Sequence, residues 1–339
     1  MNPAIIPPVI RTELLEFNQA QPTESIQTGL SEAMIWKCQT PVGLACLRAW
    51  PPNHIPPNHF GLDRLSVIHQ AMQQLSEAQV GFTPRLYCTS RQENVASDGR
   101  RFWELTTWLP GRADYLQQPS DTKLLSAMRA LATVHTAWAI AAHRAISPTL
   151  QDRKQRLSDS LSSVSEVENV AHGIHGNDRL RWLARETCQA LRRHGPNLSV
   201  ELSQLESSAI VHYALRDIWS DHVLFTDETV TGIVDFGAVR IDEPTTDLVR
   251  LLSTMEPMDM KRQEIGLAAY EGFRGVVVDR RRFAILQRVA MLLSAMQWIE
   301  WLVVERRQFD APIEQLLDRC QQFLTCTHLL AENNKLHWR

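Results

Sequence analysis

Apolar positions follow two different rhythms along this chain. In the first third they come in short runs separated by turn residues. Met34–Cys38 and Leu44–Trp50 flank Gln39–Gly43, a connection rich in turn formers, and predict a β-hairpin. Pro51–Pro57 holds four prolines and is excluded from helix and from a central strand. Over Leu62–Ala78 the apolar residues Leu62, Leu65, Ile68, Ala71, Met72 and Leu75 recur every three or four positions, which predicts an amphipathic helix. A second strand pair is predicted in Pro84–Cys88 and Arg101–Trp108, and Leu109-Pro110-Gly111 breaks the pattern as a linker.

Beyond that break the period becomes helical. Asp121–Ala142 sets Leu124, Leu125, Met128, Leu131, Ala132 and His135 on one face, and Ser120-Asp121 offers capping side chains at its start. Helical patterns recur at Arg179–Arg193, Met260–Phe273, Arg281–Glu305 and Ile313–Ala331. One island, Ile210–Arg240, alternates short β-like runs with polar turns instead. The expected plan is α+β: a small β-rich domain over residues 1–109 and a larger helical domain over 110–339 with an embedded β-hairpin. A binding site is expected where two such domains meet.

Composition narrows the function. Of 339 residues, 35 are Lys or Arg and 38 are Asp or Glu, so the net charge of -3 offers no surplus to condense on a nucleic acid. Six cysteines form no C-x-x-C pair and read as free thiols. Met1–Thr12 has three prolines and no early Lys or Arg, unlike a signal peptide. The apolar stretch Val289–Val304 is interrupted by Gln297 and Glu300 and is shorter than the roughly 20 residues a bilayer requires. A soluble, cytoplasmic chain with neither a nucleic-acid nor a membrane partner is expected; the oligomeric state is not legible.

The chemistry concentrates in the island. Asp217 and His222 lie five positions apart in a polar loop, and Asp235 follows the chain reversal at Thr226-Asp227-Glu228-Thr229, directly before Phe236-Gly237. Two carboxylates and an imidazole are thereby expected to converge on one small volume. Oxygen donors so grouped suit Mg²⁺, and a neighbouring carboxylate can accept a proton from an alcohol.

At these residues the sequence resembles the aminoglycoside phosphotransferase and choline kinase-like family, which has the fold of protein kinases. That family's loop runs H-G-D-x-x-x-x-N, with the Asp of an I-D-F-G-like segment 13 residues after the Asn, and Asp217, His222 and Asp235 keep both spacings. Glu243-Pro244-Thr245-Thr246-Asp247-Leu248 resembles the family's D-P-x-x-D-L, whose second Asp supports the catalytic loop. Thr28–Ala33, with Gly29 and Ser31, looks like the loop over the nucleotide phosphates. Arg48 falls where a strand delivers the phosphate-binding cation, and Glu104–Gly111 resembles the stretch along which adenine lies.

The resemblance implies a two-lobed kinase-like fold and an ATP-dependent phosphotransferase with Mg²⁺ as its ion and Mn²⁺ as the alternative. Asp217 would be the base, Asp235 and His222 the metal contacts, and Gly29, Ser31, Arg48 and Glu104 the nucleotide contacts. His222 stands where the family has Asn, so its role is either metal contact or support beside Asp221. Leu215-Arg216 replaces His-Gly, and no glutamate lies between Leu62 and Ser76 to hold Arg48, which leaves His69 as the nearest inward polar group. Trp298, Trp301 and Glu305 share a helical face that suits an acceptor, although core packing accounts for the same spacing. From Arg281 onward eight basic residues outnumber six acidic ones, which argues against a polycationic acceptor. A nucleotide-binding, catalytically weak module with a regulatory or scaffolding role is the alternative reading.

Overall fold

The computed structural model describes residues 6–26, 33–50, 62–309 and 311–337. In chain order its elements are α1 (Pro8–Ile10), β1 (Gln21–Ile26), β2 (Met34–Thr40), β3 (Gly43–Ala49), α2 (Leu62–Glu77), β4 (Leu86–Tyr87), β5 (Ala96–Ser97), β6 (Phe102–Thr107) and α3 (Asp121–Trp138). They continue with β7 (His143–Ile146), α4 (Pro148–His172), α5 (Asp178–Ser203), β8 (Ser208–Ala214), β9 (Val223–Thr226), β10 (Thr229–Ile233) and β11 (Arg240–Asp242). The last four are α6 (Thr245–Met255), α7 (Met260–Arg274), α8 (Arg280–Ile299) and α9 (Ile313–His337). Packing divides the chain into two units, Met1–Ile140 with Asp217–Arg240, and Ala141–Arg216 with Ile241–Arg339. Residues 110–140 and the 217–240 island thus pack with the sheet that precedes them.

In the first unit an antiparallel sheet runs β1-β2-β3-β6-β4, with β5 also on β6. The expected hairpin is β2–β3, turning at Pro41-Val42. Alternation sends Leu47 and Ala49 of β3 and Trp103 and Leu105 of β6 into one core with Ile10, Leu14 and Trp36, where Trp36 stacks on Trp103 at 5.4 Å. The intervening residues face the other way, so Arg48 and Glu104 are cross-strand partners on the opposite face. Strand β1 escapes a hydrophobicity pattern because it is an exposed edge carrying Pro22 and Glu24, with a register shift between them.

Helix α2 buries Leu65, Ile68, His69, Ala71, Met72 and Leu75, as its spacing predicts, whereas Leu62 is exposed. Helix α3 is capped by Ser120, whose side chain accepts the Lys123 N–H. Its buried face is Leu124, Ala127, Met128, Leu131, His135 and Trp138. Leu125, expected on that face, is exposed because the face turns toward α2 and β10. Trp138 closes the contact by donating Nε1–H to the Ala71 carbonyl at 2.9 Å. Among the described residues one helical run, Asp121–Ala141, is long and apolar enough to cross a membrane by length and composition alone. Its apolar side here meets α2 and β10.

In the second unit α5 packs on α4, α8 and α9, and β7, β8 and β11 form a small sheet with β8 central. Two features depart from the periodic reading. Helix α4 is not announced by the pattern, since its buried face includes Thr149 and Ser160 among few apolar residues. Helix α5 runs past the expected end at Arg193, through Gly195-Pro196 to Ser203. There a Cβ on Gly195 would stand 2.8 Å from Leu161 of α4, so close helix packing sustains a turn that the Gly-Pro pair disfavours by itself.

Behind β11 lies a buried polar network. Glu243, 2% exposed, accepts a two-pronged bond from Arg282 at 2.6 and 2.9 Å and another from the Ser147 hydroxyl. Asp242 accepts from Thr149, and its carboxylate is 3.0 Å from Arg216 Nε. Fully buried Asp247 at the start of α6 accepts the backbone N–H groups of Leu215 and Arg216 at 2.7 and 2.6 Å.

Removing the guanidinium that forks onto Glu243, as in Arg282→Leu, should cost about 3–5 kcal/mol because it strips a buried carboxylate of its cation. Urea denaturation followed by circular dichroism checks this, and an unchanged midpoint would contradict it. For Asp247, burial is the largest influence and lifts its pKa from 3.8 to about 7, against the two N–H donors. Between those values the folded chain keeps a proton that the unfolded chain has lost, so this residue makes stability fall as pH rises. In Asp247→Asn that descent should be shallower by up to about one proton, measured as the slope of unfolding free energy against pH.

Candidate active site

The first unit brings Arg48, Asp235 and His222 together at the end of β3, and Asp217 joins them through its backbone carbonyl. Arg48 sits on the face of β3 opposite the apolar core, where alternation along Ala45, Leu47 and Ala49 obliges it to be. Its guanidinium lies 4.1 Å from the Trp50 ring centroid, a cation-π arrangement that fixes its plane. One terminal nitrogen donates to Asp235 Oδ1 at 3.1 Å, and its buried Nε has no hydrogen-bond partner.

Asp235 is placed by the β9–β10 hairpin and the break that follows it. Its backbone is left-handed, with φ 61 and ψ 70, a conformation that Asp tolerates better than most residues. Oδ1 also accepts the Gly237 N–H at 3.4 Å. Gly237 fits because a Cβ there would meet Asp235 Oδ1 at 3.2 Å and the Trp50 ring at 3.3 Å. The Gly237 carbonyl accepts from Arg64 of α2 at 2.6 Å. Desolvation opposes ionisation of Asp235, but Arg48, His222 and the Gly237 N–H outweigh it and hold its pKa below the usual carboxylate value.

His222 connects the two acidic positions. Its Nδ1 is 2.9 Å from the Asp217 carbonyl, which only accepts, so Nδ1 carries the proton. Its Nε2 is 3.8 Å from Asp235 Oδ2, and the His222 carbonyl accepts the Val234 N–H at 2.9 Å. The Asp217 carboxylate accepts Trp219 Nε1–H at 2.6 Å, which orients it within the loop. That loop follows directly on Leu215 and Arg216, whose N–H groups Asp247 holds.

The remaining expectations fall as follows. Gly29 and Ser31 lie outside the described residues. Glu104, expected along the adenine stretch, is 4% exposed and paired with His69 of α2 at 2.8 Å, so His69 holds a carboxylate and not Arg48. Trp298, Trp301 and Glu305 belong to the second unit. There Trp298 is buried and packs edge-on against Trp301 at 5.3 Å, with Phe309 closing the cluster, while Arg307 covers Trp301 and approaches Glu305. Trp50, Trp219 and Arg64 were not anticipated. For Trp50 the signal was present, since it stands two positions after Arg48 and therefore on the same side of the strand.

Among the described residues no three or more His, Cys, Asp or Glu side chains form a metal-holding group. A cation shared with phosphates does not require one, because Mg²⁺ commonly keeps waters and uses one or two carboxylates. An ionised Asp235 beside an imidazole whose Nδ1 is already committed fits that limited demand.

Comparison with known proteins identifies the family and the fold. The phosphotransferase enzyme family (APH) matches residues 58–286. An aminoglycoside phosphotransferase from Alicyclobacillus acidocaldarius superposes with a TM-score of 0.62 at 14% identity, covering 98% of this chain and 95% of that one. A spectinomycin phosphotransferase in complex with ADP and spectinomycin gives 0.64 at 9% identity, covering 94% and 97%. The macrolide 2'-phosphotransferase from Brachybacterium faecium gives 0.53 at 14% identity, covering 92% and 95%. No curated protein matches by sequence. The fold is that of the kinase-like phosphotransferases, and with more than half of its length matched, the chain belongs to the phosphotransferase enzyme family.

Proposed function

We propose that the chain transfers the γ-phosphate of ATP to a hydroxyl group of a small-molecule acceptor. The observation that carries this reading is the contact of Arg48 with Asp235, with His222 spanning from Asp235 to the backbone of Asp217. This supports the reading because Arg48, Asp235, His222 and the loop of Asp217, the residues proposed for phosphate, cation and base, all belong to one unit. Residues 1–109 would supply the nucleotide contacts, including Gly29 and Ser31, and residues 110–339 the base and the acceptor contacts.

In the proposed reaction the acceptor oxygen attacks the γ-phosphorus, the bond to the ADP oxygen breaks, and the hydroxyl proton passes to Asp217. Trp219 holds the Asp217 carboxylate in one orientation for that transfer. Arg48, anchored on Trp50, offers its guanidinium to the phosphates in place of the more usual lysine. Asp235 and His222 would hold a divalent cation, which when bound neutralises charge on the transferring group. An imidazole nitrogen in that set favours Mn²⁺ relative to Mg²⁺ more than an all-oxygen set does. Of the acceptor candidates, Trp301 and Glu305 retain exposed surface, whereas Trp298 is taken up by packing. The spectinomycin phosphotransferase, solved with a nucleotide and its antibiotic together, supports the pairing of ligands but not the identity of this acceptor.

A panel of hydroxyl-bearing metabolites screened for ATP consumption tests the proposal. Asp217→Asn should lower turnover by roughly 10²–10⁴-fold. The rise in melting temperature produced by ATP with Mg²⁺ or Mn²⁺ should persist in that variant. Undiminished turnover would remove Asp217 from the role of base, and a wild-type midpoint unmoved by nucleotide would end the reading altogether.

A further inference from the structure

Arg48 faces two carboxylates, and they differ in what nucleotide binding asks of them. Asp235 is the one within hydrogen-bond reach. In the proposed reaction Asp235 would hold a divalent cation, and its charge would no longer serve Arg48 alone. Glu104 is the other, directly across from Arg48 in the β3–β6 register and on the same face of the sheet.

Glu104 is itself held in place. Its Oε2 is 2.8 Å from His69 Nε2, and both side chains are almost wholly buried between α2 and the sheet. A carboxylate oxygen only accepts, so His69 donates Nε2–H to it and fixes the Glu104 side chain beside its cross-strand neighbour Arg48. Among the described residues α2 turns no acidic side chain inward, since Asp63 and Glu77 stand at its two ends and are exposed. The roles are thus exchanged: the helix supplies the orienting donor, and the strand supplies the counter-charge.

We infer that Glu104, oriented by His69, is the positioning residue that keeps the Arg48 guanidinium aimed at the triphosphate once Asp235 is engaged elsewhere. This rests on the reading that ATP binds at Arg48. Glu104 touches neither substrate nor reacting atoms in this scheme and acts through Arg48 alone.

The test compares binding of ATP with Mg²⁺ to binding of adenosine, which carries no phosphate for Arg48 to hold. Glu104→Gln retains an oxygen for His69 and removes the charge. Titration calorimetry should show ATP affinity lower by roughly tenfold, as for one well-placed charged contact, with adenosine affinity unchanged. Combining Glu104→Gln with Arg48→Met should be no worse than Arg48→Met alone, because both changes remove one interaction. The exchange His69→Glu with Glu104→His, which moves the charge to the helix, should recover most of the lost ATP affinity, and it serves as the assay if Glu104→Gln does not fold. An equal loss for ATP and adenosine, additive losses in the double variant, or an unchanged ATP affinity would each overturn the role of Glu104. A wild-type chain that binds adenosine and ATP equally would instead overturn the placing of the phosphates at Arg48.

Discussion

A guanidinium that shares its charge between neighbours is the constraint on which the first unit's site depends. Arg48 is carried into the site by strand alternation, flattened on Trp50, and bonded to Asp235 across 187 residues of chain. That single contact ties β3 to the segment after the β9–β10 hairpin, and thereby to His222 and the loop that holds Asp217. A largely buried cation needs partners that can be exchanged without leaving it bare, and the carboxylate of Glu104 in the adjacent strand meets that requirement.

The departures from the family pattern become intelligible in the same terms. Where the family has glycine before the base, this chain has Arg216, and its φ of 64 is the left-handed value that glycine adopts freely. Arginine accepts the strain because its side chain is paid back by Asp152 at 2.7 Å and Asp242 at 3.0 Å, while Asp247 grips its N–H. The loop entry is therefore held by the buried Asp247 carboxylate on the backbone and by ion pairs of the Arg216 side chain with Asp152 and Asp242. His222, in the asparagine position, commits Nδ1 to the Asp217 carbonyl and leaves Nε2 toward Asp235, so its tautomer is set by the loop it stabilises.

Much of the fold could be read directly from residue order. The β2–β3 hairpin, the faces of α2 and α3, the Ser120 cap and the β9–β10 reversal all follow from local periodicity and turn chemistry. Elements whose stability is not local were missed. Strand β1 is polar because it is an edge, α4 has a narrow apolar face, and α5 continues through Gly195-Pro196 where Leu161 of α4 packs closely against it. The same division runs through the site. Asp217, His222 and Asp235 were visible as a spacing, since that part of the chemistry lies within one short loop and hairpin. Trp50, Trp219 and the pairing of His69 with Glu104 were not.

The order of residues alone therefore settled the identities and intervals of the acidic pair, the strand that presents Arg48, and the side of that strand on which it stands, because each depends on backbone period. Which carboxylate answers which cation was decided only on folding. Electrostatic partnership depends on distance through space and on the water excluded around it, and Glu104 meets His69 across 35 positions while Arg48 meets Asp235 across 187. No local pattern encodes such separations, so the charge arrangement of the site belongs to the tertiary structure.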